Sequence, residues 1–236
     1  MPQAETSALA ADTAGLPAPV ALHEDADLLV LCKPSGLLCV PGRGPDKQDC
    51  LSARAQQHWP GALIVHRLDQ ATSGLVLMAR HAEAQRRLSL AFEQRQIHKR
   101  YVAIVQGLVA EPPGSWADIH LPIAADWERR PLRVIDAEHG KPSHTRWRPL
   151  AHNTVAGTTR VELEPVTGRT HQLRVHLAAL GHPILGDALY ANAATQAQAS
   201  RLLLHAGELA LAHPTTGQAM RWELAADFCS YLPPSA

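Results

Sequence analysis

The sequence predicts an α+β fold with a mostly antiparallel sheet. Many short runs have the length and the β-branched or aromatic content of strands, and they recur from residue 28 to residue 224. A few helical segments are interspersed among them, and this mixture is typical of α+β architecture. No self-similarity at a fixed period points to a solenoid or propeller. At 236 residues, one extended domain can bury a sizeable core.

Taken in order, residues 1–20 are rich in Ala, Pro, Thr and Ser and have no apolar period, so they read as a disordered leader to a domain spanning 21–236. Leu28 to Cys32 reads as a strand stopped by the turn signal Lys33-Pro34-Ser35-Gly36, and residues 41–45 as a loop. Asp49 is placed to cap a short helix from Cys50 to His58, which Trp59-Pro60-Gly61 ends. Two apolar runs, 62–65 and 75–79, read as strands on either side of His66-Arg67-Leu68-Asp69-Gln70-Ala71-Thr72-Ser73-Gly74. Ala82 to Gln94 reads as a helix with Leu88, Ala91 and Phe92 on one side and Arg86, Arg87 and Arg95 toward solvent. Tyr101 to Val105 is a strand, and 116–121, 132–135 and 143–147 are shorter candidates. Thr158 to Glu164 alternates, with Val161 and Leu163 on one face. A helix over 170–180 follows, with Leu173, Leu177 and Leu180 as its buried stripe and Gly181 as its stop. Strands at 202–204, 208–212 and 219–224 close the chain, the last two joined by the turn Pro214-Thr215-Thr216-Gly217.

Composition narrows the function classes. The chain is 46% hydrophobic with few aromatics, which suits a globular domain. It has no apolar run long enough to span a membrane and no signal peptide at its start. Cys32, Cys39, Cys50 and Cys229 lack CxxC spacing and read as free cytosolic thiols. Net charge is zero but unevenly spread. Residues 1–32 hold five acids and no Lys or Arg, which leaves the rest with 22 basic against 17 acidic groups, a net of +5. Residues 80–100 and 129–148 each carry a local excess of +4, enough to meet a phosphate backbone.

The segment 66–74 sets a charged pair, Arg67 and Asp69, in a turn between two core strands. An ionised carboxylate there is costly unless it is paired or does chemistry. By itself it reads as a turn-capping aspartate. But HRLDQATSG, followed in order by KRYVAIV (99–105), DWERRP (126–131), GRTHQLRVH (168–176), GHPILGD (181–187) and LLLHA (202–206), resembles the RluA-type pseudouridine synthases over roughly residues 25 to 227.

The resemblance implies a large mixed sheet bent into two halves, with flanking helices and a cleft that holds the catalytic loop. It implies the short form of the family, since twenty leading residues cannot hold an S4-type RNA-binding domain. It implies isomerisation of uridine in RNA, with Asp69 as the catalytic carboxylate, acting either as nucleophile at C1′ or as base toward the sugar. It implies Arg169 as the basic partner of Asp69, Tyr101 against the uracil ring and Leu204 on the base's other side. Arg67 would fill the space left by the flipped base; on the local excess of basic charge, not the resemblance, Arg129 and Arg130 would meet phosphates. The isomerisation needs no metal or cofactor, and the sequence has no P-loop, dinucleotide fingerprint or metal-spaced His/Cys cluster. His171 and His176, five apart, read as packing or hydrogen-bonding histidines. The short form and the DWERRP block resemble dual-specificity members, which act on a 23S rRNA hairpin and a tRNA anticodon stem-loop. A cytoplasmic monomer without membrane contact is expected. A single-RNA-class synthase, a non-catalytic RNA-binding module and a hydrolase using His66 or His205 with Asp69 are the competing readings.

Overall fold

A computed structural model of the chain describes residues 18–228. The leader expected over 1–20 lies outside the described residues as far as 17, and Val20 already opens the first strand. The chain runs through β1 (Val20–Glu24), β2 (Leu28–Lys33), α1 (Leu51–His58), β3 (Leu63–Ile64), β4 (Ser73–Ala79), α2 (Ala82–Glu93) and β5 (His98–Gln106). It continues through β6 (Ala117–Ile119), β7 (Ile123–Ala125), β8 (Arg133–Ile135), β9 (Thr145–Asn153) and β10 (Thr158–Pro165). It ends with α3 (Gln172–Ala179), α4 (Ala193–Gln196), β11 (Leu204–Ala212) and β12 (Ala219–Glu223). Ten strands form one sheet with the path β1-β2-β4-β11-β5-β10-β9-β6, β3 lying beside β4 and β12 beside β11, while β7 and β8 form a separate hairpin.

The sheet has two halves with different covering. In β2 and β4 nearly every residue is buried, because both faces are covered. Leu28, Val30, Leu75 and Leu77 pack with Ala84 and Leu88 of α2. Leu29, Leu31, Val76 and Met78 pack on the other face with Leu51 and Ala55 of α1. Each such aliphatic side chain contributes about 1.5–3 kcal/mol by leaving water. The half made of β5, β10 and β9 is covered on one face only. There Ala103, Val105, Val161 and Leu163 pack with Leu173 and Leu177 of α3. The other face is a charged ladder, in which Glu162 takes Arg148 at 2.7 Å and Glu164 takes Arg146 at 2.8 Å and Arg100 at 2.9 Å. The alternation predicted for 158–164 is the trace of this one-sided burial.

β11 joins the halves. It is antiparallel to β5 along one edge, and its other edge is shared by β12 and β4. The pairing with β4 is parallel and short, His205 with Ser73 and Ala206 with Gly74. Gly74 has φ +119, and a Cβ there would lie 2.3 Å from the Ala206 carbonyl oxygen, so only glycine admits this approach.

Several expectations need correction. The cap of α1 is Cys50, whose Sγ accepts the Ala53 amide at 3.4 Å, whereas Asp49 chelates Arg54 through two hydrogen bonds of 2.7 Å. Leu180 is exposed just past α3, so the buried stripe stops at Leu177. The two strands expected at 202–204 and 208–212 are one strand whose pairing with β5 shifts between Ala206 and Glu208. β7, three residues long, and α4, a single turn of four, carry no strong pattern in the sequence. Cys32, Cys39 and Cys50 are free thiols as expected, and Cys229 lies outside the described residues.

Candidate active site

The loop between β3 and β4 carries Asp69, and neighbours fix its backbone from several sides. Leu68 is buried and its amide donates to Cys39 Sγ at 3.2 Å. The Asp69 carbonyl accepts the Thr72 amide at 3.1 Å, closing the turn. Ser35 Oγ donates to the Ala71 carbonyl at 2.7 Å, and the Gly36 amide to the Gln70 carbonyl at 2.9 Å. Lys33 is buried and its ammonium donates to the carbonyls of Pro34, Leu37 and Gln70 at 2.7–3.0 Å. Burial pulls that ammonium down to about 8, and the nearby Cys39 and Asp69 act against the fall. The lysine therefore staples the turn after β2 to the Asp69 loop.

The loop opens on a cleft of about 960 Å³ at the junction of the two sheet halves. Asp69, Arg67, Tyr101, Arg169 and Leu204 all line it. The Asp69 side chain is 21% exposed, enough to meet a ligand and still be shaped by its neighbours. Arg174 Nη1 lies 3.6 Å from Asp69 Oδ2, and His171 Nε2 lies 3.9 Å from Oδ1.

Arg169 is not the partner of Asp69. It is exposed, and its guanidinium donates to the Pro142 carbonyl at 3.3 Å through Nε and Nη2. Its place beside the carboxylate belongs to Arg174, in the first turn of α3. The rest of the Arg174 guanidinium grips Asp187, with Nε to Oδ2 at 2.8 Å and Nη2 to Oδ1 at 2.6 Å. Asp187 has no exposed surface and also accepts the Leu189 and Tyr190 amides at 2.9 and 3.2 Å. A forked, buried pair of this kind sets the guanidinium plane and leaves Nη1 for Asp69. The conformation of the preceding turn depends on Gly186, where a Cβ would lie 1.9 Å from the Arg201 carbonyl oxygen.

His171 precedes α3 in the left-handed region, φ +57. The Tyr190 hydroxyl accepts the Arg133 amide at 3.0 Å and lies 2.6 Å from His171 Nδ1. When that hydroxyl donates to Nδ1, the ring must carry its proton on Nε2, on the side of Asp69. Burial holds the imidazole below its usual range. His176, by contrast, is fully buried and satisfied by Thr145 Oγ1 at 3.0 Å and the Leu121 carbonyl at 2.9 Å, a structural histidine as expected.

Tyr101 stands on β5 and Leu204 at the start of β11, two positions apart in register, since Leu204 pairs with Ala103. Burial and the Asp69 charge push the Tyr101 phenol well above its usual range, so it is a neutral hydroxyl at physiological pH. His66 is no acid or base for Asp69. Its Nε2 accepts the Leu77 amide at 2.9 Å, its ring stacks on Phe92, and burial brings it down to about 3. His205 is likewise committed, to Ser73 Oγ at 2.9 Å and to the Leu224 carbonyl at 3.1 Å.

The two basic segments look different in space. Arg80 is paired with Glu24, Arg86 and Arg87 with Glu83, and Arg100, Arg146 and Arg148 with glutamates of β10. Arg129 is held by Asp126 at 2.7 Å, and Arg130 stacks 3.9 Å above the exposed Trp127 ring at the tip of the β7–β8 hairpin. Neither Arg129 nor Arg130 lines the cleft.

A family model described as RNA pseudouridylate synthase matches residues 27–179. The chain belongs to that family. It is 44% identical over 209 residues to the dual-specificity RNA pseudouridine synthase RluA of Yersinia pestis, covering 89% of this chain and 100% of that one. The protein of the same name from Escherichia coli K12 is also 44% identical, over 89% of this chain and 94% of that one. Among solved structures, human RNA pseudouridylate synthase domain containing 1 superposes with a TM-score of 0.74 at 30% identity, over 89% of this chain and 84% of that one. Human RNA pseudouridylate synthase domain containing 4 gives 0.68 at 25% identity, over 87% and 88%. In this pseudouridine synthase the motif 168–176 supplies Arg174 and His171 to the carboxylate, and the motif 181–187 supplies Asp187 to hold Arg174.

Proposed function

We propose that the protein, as a cytoplasmic monomer, isomerises selected uridines to pseudouridine in both a 23S rRNA hairpin and a tRNA anticodon stem-loop. The observation that carries the activity is the partly exposed carboxylate of Asp69, clamped by Arg174 in a cleft whose walls include Tyr101 and Leu204. The dual substrate range rests on the relatives named dual-specificity synthases.

The reaction breaks the C1′–N1 bond of the target uridine, turns the freed uracil, and joins C5 to C1′. The C5 proton is lost and N1 gains one, so substrate and product are isomers. Asp69 serves the sugar, either by attacking C1′ or by taking a proton to give a glycal. Arg174 sets a fixed positive charge beside the carboxylate, 3.6 Å from Oδ2. Tyr101 packs on the uracil with Leu204 on its other side, and its neutral hydroxyl can relay the C5 proton but not act as a standing phenolate. Incubation with uridine-labelled RNA tests the activity, since isomerisation, binding alone and cleavage give distinct products. Mapping pseudouridines across total RNA with and without the gene tests the dual range.

Recognition divides between two groups of residues. Extruding a base from a folded RNA costs about a few kcal/mol. Arg67, exposed at the cleft, takes the place of the extruded base. Arg67→Ala should lower binding modestly and turnover much more, with partial rescue by a mismatch beside the target. Equal losses of both without rescue would make Arg67 a plain phosphate ligand. Arg129 and Arg130 hold phosphates at the hairpin tip, for which Arg129 must exchange Asp126 for RNA. Arg129→Ala with Arg130→Ala should weaken binding to every substrate. It should also flatten the salt dependence, by about 0.7 to 0.9 in slope for each phosphate no longer neutralised. An unchanged slope would place the phosphates elsewhere.

A further inference from the structure

We propose that Asp118, His120 and His144 form a binding site for one transition-metal ion of the zinc class, outside the catalytic cleft. β6 is the edge strand of the sheet and pairs antiparallel with β9 through Asp118–Arg146 and Ile119–Thr145. One step further along that register sets His120 opposite His144. Asp118 lies two residues before His120 and so projects from the same face. The two imidazoles are stacked, with centroids 4.0 Å apart and planes 21° apart. Asp118 Oδ1 is 2.6 Å from His144 Nε2, and one donor atom from each of the three residues lies within 4.8 Å of the others.

Tautomer freedom makes this a ligand set rather than a closed hydrogen-bond cluster. Among the described residues, His120 makes no hydrogen bond through either nitrogen, and His144 makes none through Nδ1. The proton now between His144 Nε2 and Asp118 can therefore move to Nδ1 or to solvent, and a cation can take its position. A second group of similar make-up, Asp25, Asp27 and His213, shows the opposite case. There His213 Nδ1 accepts the amides of Thr215 and Thr216 at 3.3 and 3.1 Å. The proton must stay on Nε2, where it points at Asp25 and Asp27 at 3.3 and 3.7 Å. That cluster is satisfied without an ion.

Two neutral imidazoles and one carboxylate suit a borderline dication and disfavour calcium or magnesium, which take oxygen ligands. Three protein ligands leave a coordination position for water or an exogenous group. Of the neighbouring charged and titratable groups, Arg146 of β9 is engaged by Glu164 and Trp116, and His176 of α3 by Thr145 and Leu121. None of the three ligands lines the cleft. The ion would clamp β6 onto β9 at the open edge of the sheet.

The test is calorimetric titration of chelator-stripped, full-length protein with zinc chloride, with cobalt chloride as a spectroscopic probe. One ion per chain is expected, with a visible cobalt band of a low-coordinate site and a melting temperature raised by zinc. His120→Ala should remove binding, and because that exposed side chain makes no hydrogen bond, its apo melting temperature should match the parent's. His144→Ala should remove binding too, and Asp118→Asn should weaken it. Isomerisation by the stripped protein, on an RNA that folds without divalent ions, should be unchanged. Absence of saturable binding, or binding retained by His120→Ala, would overturn the assignment.

Discussion

Asp69→Asn is expected to abolish isomerisation, by roughly 10⁴-fold or more, the scale on which loss of an essential catalytic group acts. The substitution keeps size and shape but removes the charge that the sugar chemistry uses. The fold should tolerate it. Arg174 loses an interaction at 3.6 Å but keeps its forked bond to Asp187, and the loop stays pinned through the backbone by Lys33, Ser35 and Cys39. RNA affinity should therefore survive, and a gel-shift assay beside single-turnover tritium release would separate the two. Turnover near the parent's rate would remove Asp69 from the mechanism.

Arg174→Ala should damage both stability and activity. It leaves the fully buried Asp187 carboxylate without its cation, and breaking a buried pair from one side costs about 3–5 kcal/mol. For a chain of this size that is a fall in melting temperature on the order of 10 °C. Turnover should fall as well, because Asp69 loses its charged neighbour. The double variant Arg174→Ala with Asp187→Ala distinguishes the two effects. Removing both charges should restore part of the stability and none of the turnover. Arg169→Ala, by contrast, should leave the melting temperature almost unchanged, since it gives up only long bonds to a carbonyl. If Arg169→Ala silenced the enzyme and the Arg174 variants stayed active, the clamp described here would not be the one that works.

Much of the fold was legible in the chain because burial leaves a periodic trace. Val161 and Leu163 alternate with charged residues because one face of β10 meets α3 and the other carries an ion-pair ladder. The unbroken run from Leu75 to Ala79 reflects helices on both faces. Elements without such a trace were missed or misplaced: β7 spans three residues, and α1 is capped by a cysteine, a poor hydrogen-bond acceptor that sequence rules pass over. The site was legible as a set of motifs but not as a set of partners. Arg169 and Arg174 belong to one motif, and nothing local says which of them turns toward Asp69. The answer comes from Asp187, thirteen residues on, which orients Arg174 only once α3 and the following turn have packed. A useful signal was there: an arginine on the buried face of an apolar helix needs an acid, and GHPILGD offers one. Charge runs hide their partners in the same way, since Glu162 and Glu164 pair with Arg148, Arg146 and Arg100, distant in sequence.

The position of β11 has a consequence for biosynthesis. The strand at the centre of the sheet is made after every other described strand but β12, and it must slip between β4 and β5, which leave the ribosome long before it. Until Leu204 and the residues after it have emerged, the half bearing Asp69 has no strand to join it to the half bearing Tyr101 and Arg174. Up to that moment the two halves of the sheet lack the strand that pairs with both. A synthase assembled in this order completes its cleft only once its central strand, which carries Leu204, has come out.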